Sequence, residues 1–140
     1  NVPQVYKKTA KENYNNFSEA NQNKLIISAI SVGIGGLAIA LSKMVIASQK
    51  GLKINLSNIN TIDKEIDNNH ILFSESQSRI IVTVNPSNRI KFESYFQKNQ
   101  LSLIGKIIKR KKIVCTMRNK EGFKVDISSL NNKYKRGLFN

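Results

Sequence analysis

One thiol and one imidazole are all that the 140 residues hold, in one cysteine and one histidine. A single thiol, Cys115, excludes a disulfide framework and a cysteine-rich zinc site. His70 alone leaves little for a metal centre or a Ser-His-Asp arrangement. Acidic residues are also scarce, with nine Asp and Glu against 23 Lys and Arg, for a net charge of +14 and an isoelectric point near 10.1. That excess raises nucleic acid as a partner. The basic residues are scattered, however, from Lys7-Lys8 through Lys24, Lys53, Lys91 and Lys98, and only Lys106 to Lys112 forms a cluster, which a solvated hairpin turn explains. Lysine, asparagine and isoleucine are frequent while arginine is scarce, as drift in an AT-rich coding sequence would produce. The expectation is a chain with no nucleic-acid partner in a reducing, cytoplasmic setting. There is no initiator methionine, and Asn1-Val2-Pro3-Gln4-Val5 does not read as a signal peptide, so the expectation is a single domain, residues 1–140, cut from the C-terminal end of a longer chain.

Long apolar runs are nearly absent too. Leu25 to Ala47 is the exception, with one charge, Lys43, in 23 residues, a length that permits a membrane span. Gly33, Gly35 and Gly36 interrupt it where a helix interior tolerates glycine poorly. Beyond them Leu37, Leu41 and Met44 keep one stripe while Ser42, Lys43, Gln49 and Lys50 share another. Lys50-Gly51 then reads as a helix stop. The segment is therefore a buried strand from Leu25 to Ala29, a glycine turn, and a helix from Gly36 to Lys50, with no membrane contact. Two readings of the glycine turn stand side by side. Its N–H groups at a helix N-terminus can cradle phosphate, or its glycines let helix and strand approach closely.

Around that unit the pattern predicts a surface helix from Thr9 to Ala20 and a strand from Leu52 to Leu56. Asn58 to Asn69 is polar, with a helical turn around Ile62 and Ile66. Asn85-Pro86 caps a helix carrying Ile90, Phe92 and Phe96 and ending near Asn99. Leu101 to Ile108 and Ile113 to Arg118 are strands flanking the basic turn. Cys115, in mid-strand, reads as a small buried hydrophobe. Asn119 to Gly122 is a turn, Phe123, Val125 and Ile127 alternate along a last strand, and Leu130 to Asn140 is a basic tail whose Tyr134, Leu138 and Phe139 can dock. Mixed order with late hairpins gives the fold class α+β, a mixed sheet with helices packed on it.

The stretch Leu72 to Val84 organises the rest. Ile80, Val82 and Val84 mark a strand. Before it come six consecutive polar or charged residues, Ser74-Glu75-Ser76-Gln77-Ser78-Arg79. At the mouth of a strand such groups need partners. Either the loop ties itself down through its own side chains, or hydroxyls, amide and guanidinium converge on phosphate or sugar oxygens of a ligand.

Phe73-Ser-Glu-Ser-Gln-Ser-Arg79 running into a hydrophobic strand resembles the C-terminal domain of the phosphoribosylformylglycinamidine synthase family, with its aminoimidazole ribonucleotide synthetase C-terminal-domain-like fold. Val2-Pro3-Gln4-Val5 resembles the segment entering that domain. Ser28-Ala29 and Gly35-Gly36-Leu37-Ala38-Ile39-Ala40-Leu41 resemble the family run Ser-Ala-His-Asp-x-Ser-Asp-Gly-Gly-Leu-Ala-x-Ala-Leu. Ile46-Ala47-Ser48, Gly51-Leu52, Ile54-Asn55-Leu56 and Ile104-Gly105-Lys106-Ile107 continue the likeness, and Leu130 with Tyr134-Lys135 resembles a closing Leu-(x)₃-Trp-Lys element. The family's His-Asp pair falls on Ile30 and Ser31, and its Ser-Asp on Gly33 and Ile34, so any phosphate contact there rests on the N–H groups of Gly35 and Gly36. The resemblance implies an ATP- and magnesium-dependent ligase of purine biosynthesis that uses glutamine-derived ammonia. Its partners would be the remaining domains of the synthetase, a glutaminase and a ribonucleotide substrate. It implies substrate or nucleotide binding by Glu75, Ser76, Gln77, Arg79, Gly35 and Gly36 in what looks like the second of two repeats, with no catalytic or metal-ligating residue in this chain. A non-catalytic basic binding module that kept the fold is the alternative.

Overall fold

The computed structural model describes residues 7–59, 67–97, 99–117 and 120–139. Helix α1 (Lys7–Gln22) leads into β1 (Ile26–Ser31), α2 (Gly36–Ser48) and β2 (Gly51–Asn55), which runs into a 3-10 turn, Leu56–Asn58. After the undescribed residues 60–66 come α3 (Asn68–Phe73), β3 (Ile80–Val84), a 3-10 turn at Pro86–Asn88 and α4 (Arg89–Glu93). The chain continues with β4 (Gly105–Ile108), β5 (Lys112–Met117), β6 (Lys120–Asp126) and α5 (Ile127–Phe139). The α+β class read from the sequence holds. The strands fall into two sheets, a ribbon of β1 and β3 and a mixed four-stranded sheet ordered β4-β2-β5-β6.

Alternation along β2 and β5 puts Leu52, Ile54, Ile113 and Cys115 on one face, where they are buried. Onto that face packs the stripe Leu37, Ala40, Leu41 and Val45 of α2, joined by Leu72 of α3 and Ile127 of α5. Cys115 is fully buried, as the sequence suggested, and burial pushes its thiol up to about 11. A smaller cluster joins Ala20, Leu25 and Phe92 to the ends of β1 and β3, and the Phe92 and Phe96 rings meet at 5.1 Å between centroids. Among the described residues no helix is long and apolar enough to cross a membrane.

Helix α1 stops through a Schellman arrangement. Lys24 N–H donates to Asn21 O at 2.9 Å and Leu25 N–H to Ala20 O at 3.1 Å, while Lys24 takes φ +55° and Leu25 packs on Ala20. A left-handed lysine costs roughly 1–2 kcal/mol relative to glycine. Lys24→Gly is therefore expected to raise stability by about 1 kcal/mol in urea unfolding, an effect offset in part by the freer unfolded chain.

Several local expectations change. The basic segment is not a hairpin turn. β2 inserts between β4 and β5, antiparallel to the first and parallel to the second, so Lys109-Arg110-Lys111 is a crossover passing the start of β2. This gives Gly51 a different role from the helix stop expected of it. α2 ends at Ser48 with Gln49 left-handed, whereas a Cβ on Gly51 would lie 1.9 Å from Arg110 O. The helix after Pro86 ends at Glu93, short of Asn99, and the strand expected from Leu101 begins at Gly105. Lys120 to Gly122 belong to β6 rather than to a turn, because the register slips between Cys115 and Thr116 and leaves Gly122 as the extra residue of a bulge. The basic tail is a helix, and Ile127 is its buried first residue rather than the end of a strand. The turn expected around Ile62 and Ile66 and the entry segment Val2 to Val5 lie outside the described residues.

Candidate functional site

Two segments forty residues apart in sequence meet because of one strand register. β1 and β3 pair antiparallel with Ser31 opposite Ile80, so the glycine turn leaving β1 lies beside the polar loop entering β3. Val32 N–H donates to Arg79 O at 2.9 Å and extends the ladder one step into both. Gly35 and Gly36 then take φ +79° and +65° and open α2.

Glu75 Oε1 accepts the Gly35 N–H at 2.8 Å. A carboxylate thus sits at the N-terminal end of α2, where the helix dipole favours negative charge. Gly36 N–H is turned back to Gly33 O at 2.9 Å. Both N–H groups singled out in the sequence are therefore engaged within the chain. Gly36 also sits tight against the end of α3, since a Cβ there would be 2.7 Å from Leu72 O and from Phe73 C. The close-approach reading of the glycines thus has direct geometry behind it. Ile34, where the family run has Asp, is 88% exposed.

Arg79 closes the loop from inside. Its half-buried guanidinium donates to Ser74 O and, at 3.4 Å through Nε, to Ser76 O, and burial lowers its pKa from the ordinary arginine value. The Ser74 and Ser76 hydroxyls pair at 2.7 Å, and Ser74 N–H caps α3 at His70 O. These groups hold the loop in one shape, which is the self-tying reading of the sequence. Gln77 and Ser78 face the other way, into an open depression shared with Lys7, Lys11 and Tyr14 of α1. Tyr14 OH donates to Ser78 Oγ at 3.4 Å, and Ser78 holds a left-handed φ of +65°. Tyr14 carried no sequence signal for this neighbourhood, because its partner lies 64 residues away.

The loop therefore has two sides, with Glu75 on the glycine turn and Gln77 and Ser78 toward α1. Among the described residues no group of three or more His, Cys, Asp or Glu could hold a metal ion. Cys115 is sealed in the core away from this region, and His70, exposed on α3, meets the loop through its carbonyl oxygen.

A family of domains described as AIR synthase related protein, C-terminal domain, matches residues 3–118. The chain belongs to that family. Among curated proteins the chain is similar to the phosphoribosylformylglycinamidine synthase subunit PurL of Lactobacillus helveticus, 33% identical over 88% of this chain and 15% of that protein. The corresponding subunit of Methanococcus aeolicus is 30% identical over 98% of this chain and 18% of its own length. The chain spans less than a fifth of the length of these curated relatives. The AIR synthase C-terminal fold is also found in solved structures of Thermotoga maritima PurL. One, complexed with FGAR, superposes with a TM-score of 0.79 at 23% identity, covering 87% of this chain and 21% of that one. Another, complexed with ATP, gives 0.78 at 23% identity over 86% and 21%.

Proposed function

We propose that this chain is the C-terminal domain of a phosphoribosylformylglycinamidine synthase. The whole enzyme would convert formylglycinamide ribonucleotide to the amidine in purine biosynthesis, with ATP, magnesium and glutamine-derived ammonia from a glutaminase subunit or domain, in the cytoplasm. The family match and the relatives' names support the activity. The contact between Glu75 and Gly35, which joins the polar loop to the glycine turn, supports a site at this place.

In this reading the chain supplies scaffold and one wall of a nucleotide or ribonucleotide site. Glu75 latches the loop onto the N-terminus of α2, and Arg79 fixes its curvature from within. Gln77 is then held at the surface with its amide to offer a ribose or phosphate, beside a half-buried Ser76 whose hydroxyl is paired with that of Ser74. Gly35 would add a backbone donor only if Glu75 gave way, since that carboxylate already occupies the place an anion would take, and Gly36 only if its N–H left Gly33 O as well. The donor set does not fit a magnesium ion, so no step is assigned to one here. No group in the described residues is placed to act as general acid, base or nucleophile, and the isolated domain is expected to be inactive.

The alternative is a stand-alone binding module that kept the fold. Isothermal titration of the chain with ADP–Mg and, separately, with formylglycinamide ribonucleotide distinguishes the two. Silence for both is expected, because a wall exposed to water leaves most of a ligand unburied. Tight binding of either, abolished by Glu75→Ala or Gln77→Ala, would make the loop a self-sufficient site and favour the module.

A further inference from the structure

The lysines scattered along the sequence are gathered by strand register onto one face. Lys106 of β4 lies opposite Lys53 of β2, Lys53 opposite Val114 of β5, and Val114 opposite Lys124 of β6. These four residues cross the sheet in one row, on the face turned away from Leu52, Ile54, Ile113 and Cys115. Lys53, Lys106 and Lys124 are exposed. At one end of the row the exposed crossover adds Lys109, Arg110 and Lys111. Among the described strand residues opposing charge is confined to β6, where Glu121 pairs with Lys124 and Asp126 lies across from Lys112.

Lys53 and Lys106 are the telling pair. Directly opposite residues on neighbouring strands sit roughly 5 Å apart, and like charges there oppose folding. Among the described residues neither has an acidic partner. Such a pair opposes the sheet, with no ion pair among the described residues to offset it.

We propose that this face binds the phosphate backbone of nucleic acid without reading its sequence. The cations form a track from β2 and β4 to the crossover, which suits an extended polyanion with regularly spaced charges. Lysine serves here as a point charge on phosphate, without the bidentate geometry that arginine brings. The central row holds no aromatic side chain on which a base could stack, so contacts stop at the backbone. This reading is independent of the ligand loop and of the synthetase assignment.

The test is fluorescence anisotropy of a labelled oligouridylate titrated with the 140-residue chain at several salt concentrations. If six cations neutralise phosphates, affinity falls with salt with a logarithmic slope of roughly 4. The double variant Lys53→Gln/Lys106→Gln is expected to lower that slope by about 1.4 and to weaken binding at low salt at least tenfold. Its thermal midpoint should stay level or rise, since a repulsion is removed. Lys8→Gln/Lys91→Gln, on α1 and α4, removes the same charge away from the sheet and from the ligand loop and is the control. Equal weakening by both doubles would mean that only net charge matters, and would overturn the proposal. So would absent binding, or binding of polyglutamate but not of RNA through the same lysines, which would make the face a dock for an acidic protein.

Discussion

Alanine at Gly51 is expected to destabilise the domain by about 3 kcal/mol or more, the upper end of the usual cost of overpacking. The added Cβ would lie 1.9 Å from Arg110 O and 2.4 Å from Lys112 O, and both obstacles are backbone. Neither can rotate away as a side chain would. The crossover is held on its far side as well, because Ile127 N–H donates to Lys111 O at 3.1 Å and Lys112 N–H to Arg110 O at 2.8 Å. Relief would have to come from separating β2 from β5, the parallel pair that carries Leu52, Ile54, Ile113 and Cys115 into the core. Cys115 supplies the measurement. Its thiol is fully buried and pushed up to about 11, so alkylation near pH 8 proceeds only when the sheet opens. A loss of 3 kcal/mol corresponds to an alkylation rate more than about a hundredfold faster. An unchanged rate would mean that the crossover has slack the geometry does not suggest.

That crossover also marks the limit of what the sequence could disclose. Two apolar strands around Lys109-Arg110-Lys111 look locally like a hairpin, and nothing nearby says that β2, fifty residues earlier, will insert between them. The decision belongs to long-range pairing. α2, β2 and β3 were legible because each carries its own periodicity, whereas β1 was legible as a strand but not in its burial. The buried strand expected over Leu25 to Ala29 runs Ile26–Ser31 in a two-stranded ribbon with Ile27 69% exposed. α5 was hidden for a local reason. Phe123, Val125 and Ile127 keep alternating past the end of β6, so Ile127 satisfies the strand pattern even as it begins a helix. The helical spacing Ile127, Leu130, Tyr134 was present but was masked by the serines and asparagines among them, which are weak helix formers. At the site, the loop and the glycine turn were each visible as motifs. Their contact was not, because it depends on Ser31 lying opposite Ile80.

The glycine turn allows a graded prediction that separates shape from ligand chemistry. Gly33→Ala is expected to be close to neutral, since no atom lies within 4 Å of the added Cβ and the backbone is not left-handed there. Gly35→Ala meets Ile39 Cγ1 at 2.3 Å and Cβ at 3.0 Å, in a β-branched side chain that a helix holds stiffly, so a repacking cost adds to the roughly 1–2 kcal/mol of the left-handed φ of +79°. Gly36→Ala carries the same kind of backbone strain at φ +65° and in addition strikes Leu72 O and Phe73 C at 2.7 Å, both backbone. Strain and overpacking together are expected to cost about 3 kcal/mol or more, making it the most damaging of the three. The damage should be directional. α3 ends at Phe73, and the loop carrying Glu75 begins at the next residue, so α3 cannot retreat from Gly36 without drawing Glu75 off Gly35. Hydrogen exchange then reads the coupling. In Gly36→Ala the Gly35 amide should lose protection more than the amides of β5, whereas in Gly33→Ala it should keep it. Uniform loss of protection across the sheet would mean that α3 and the loop are not a separable unit. A Gly35 amide that stays protected would mean that Glu75 is held at the turn by something other than the end of α3.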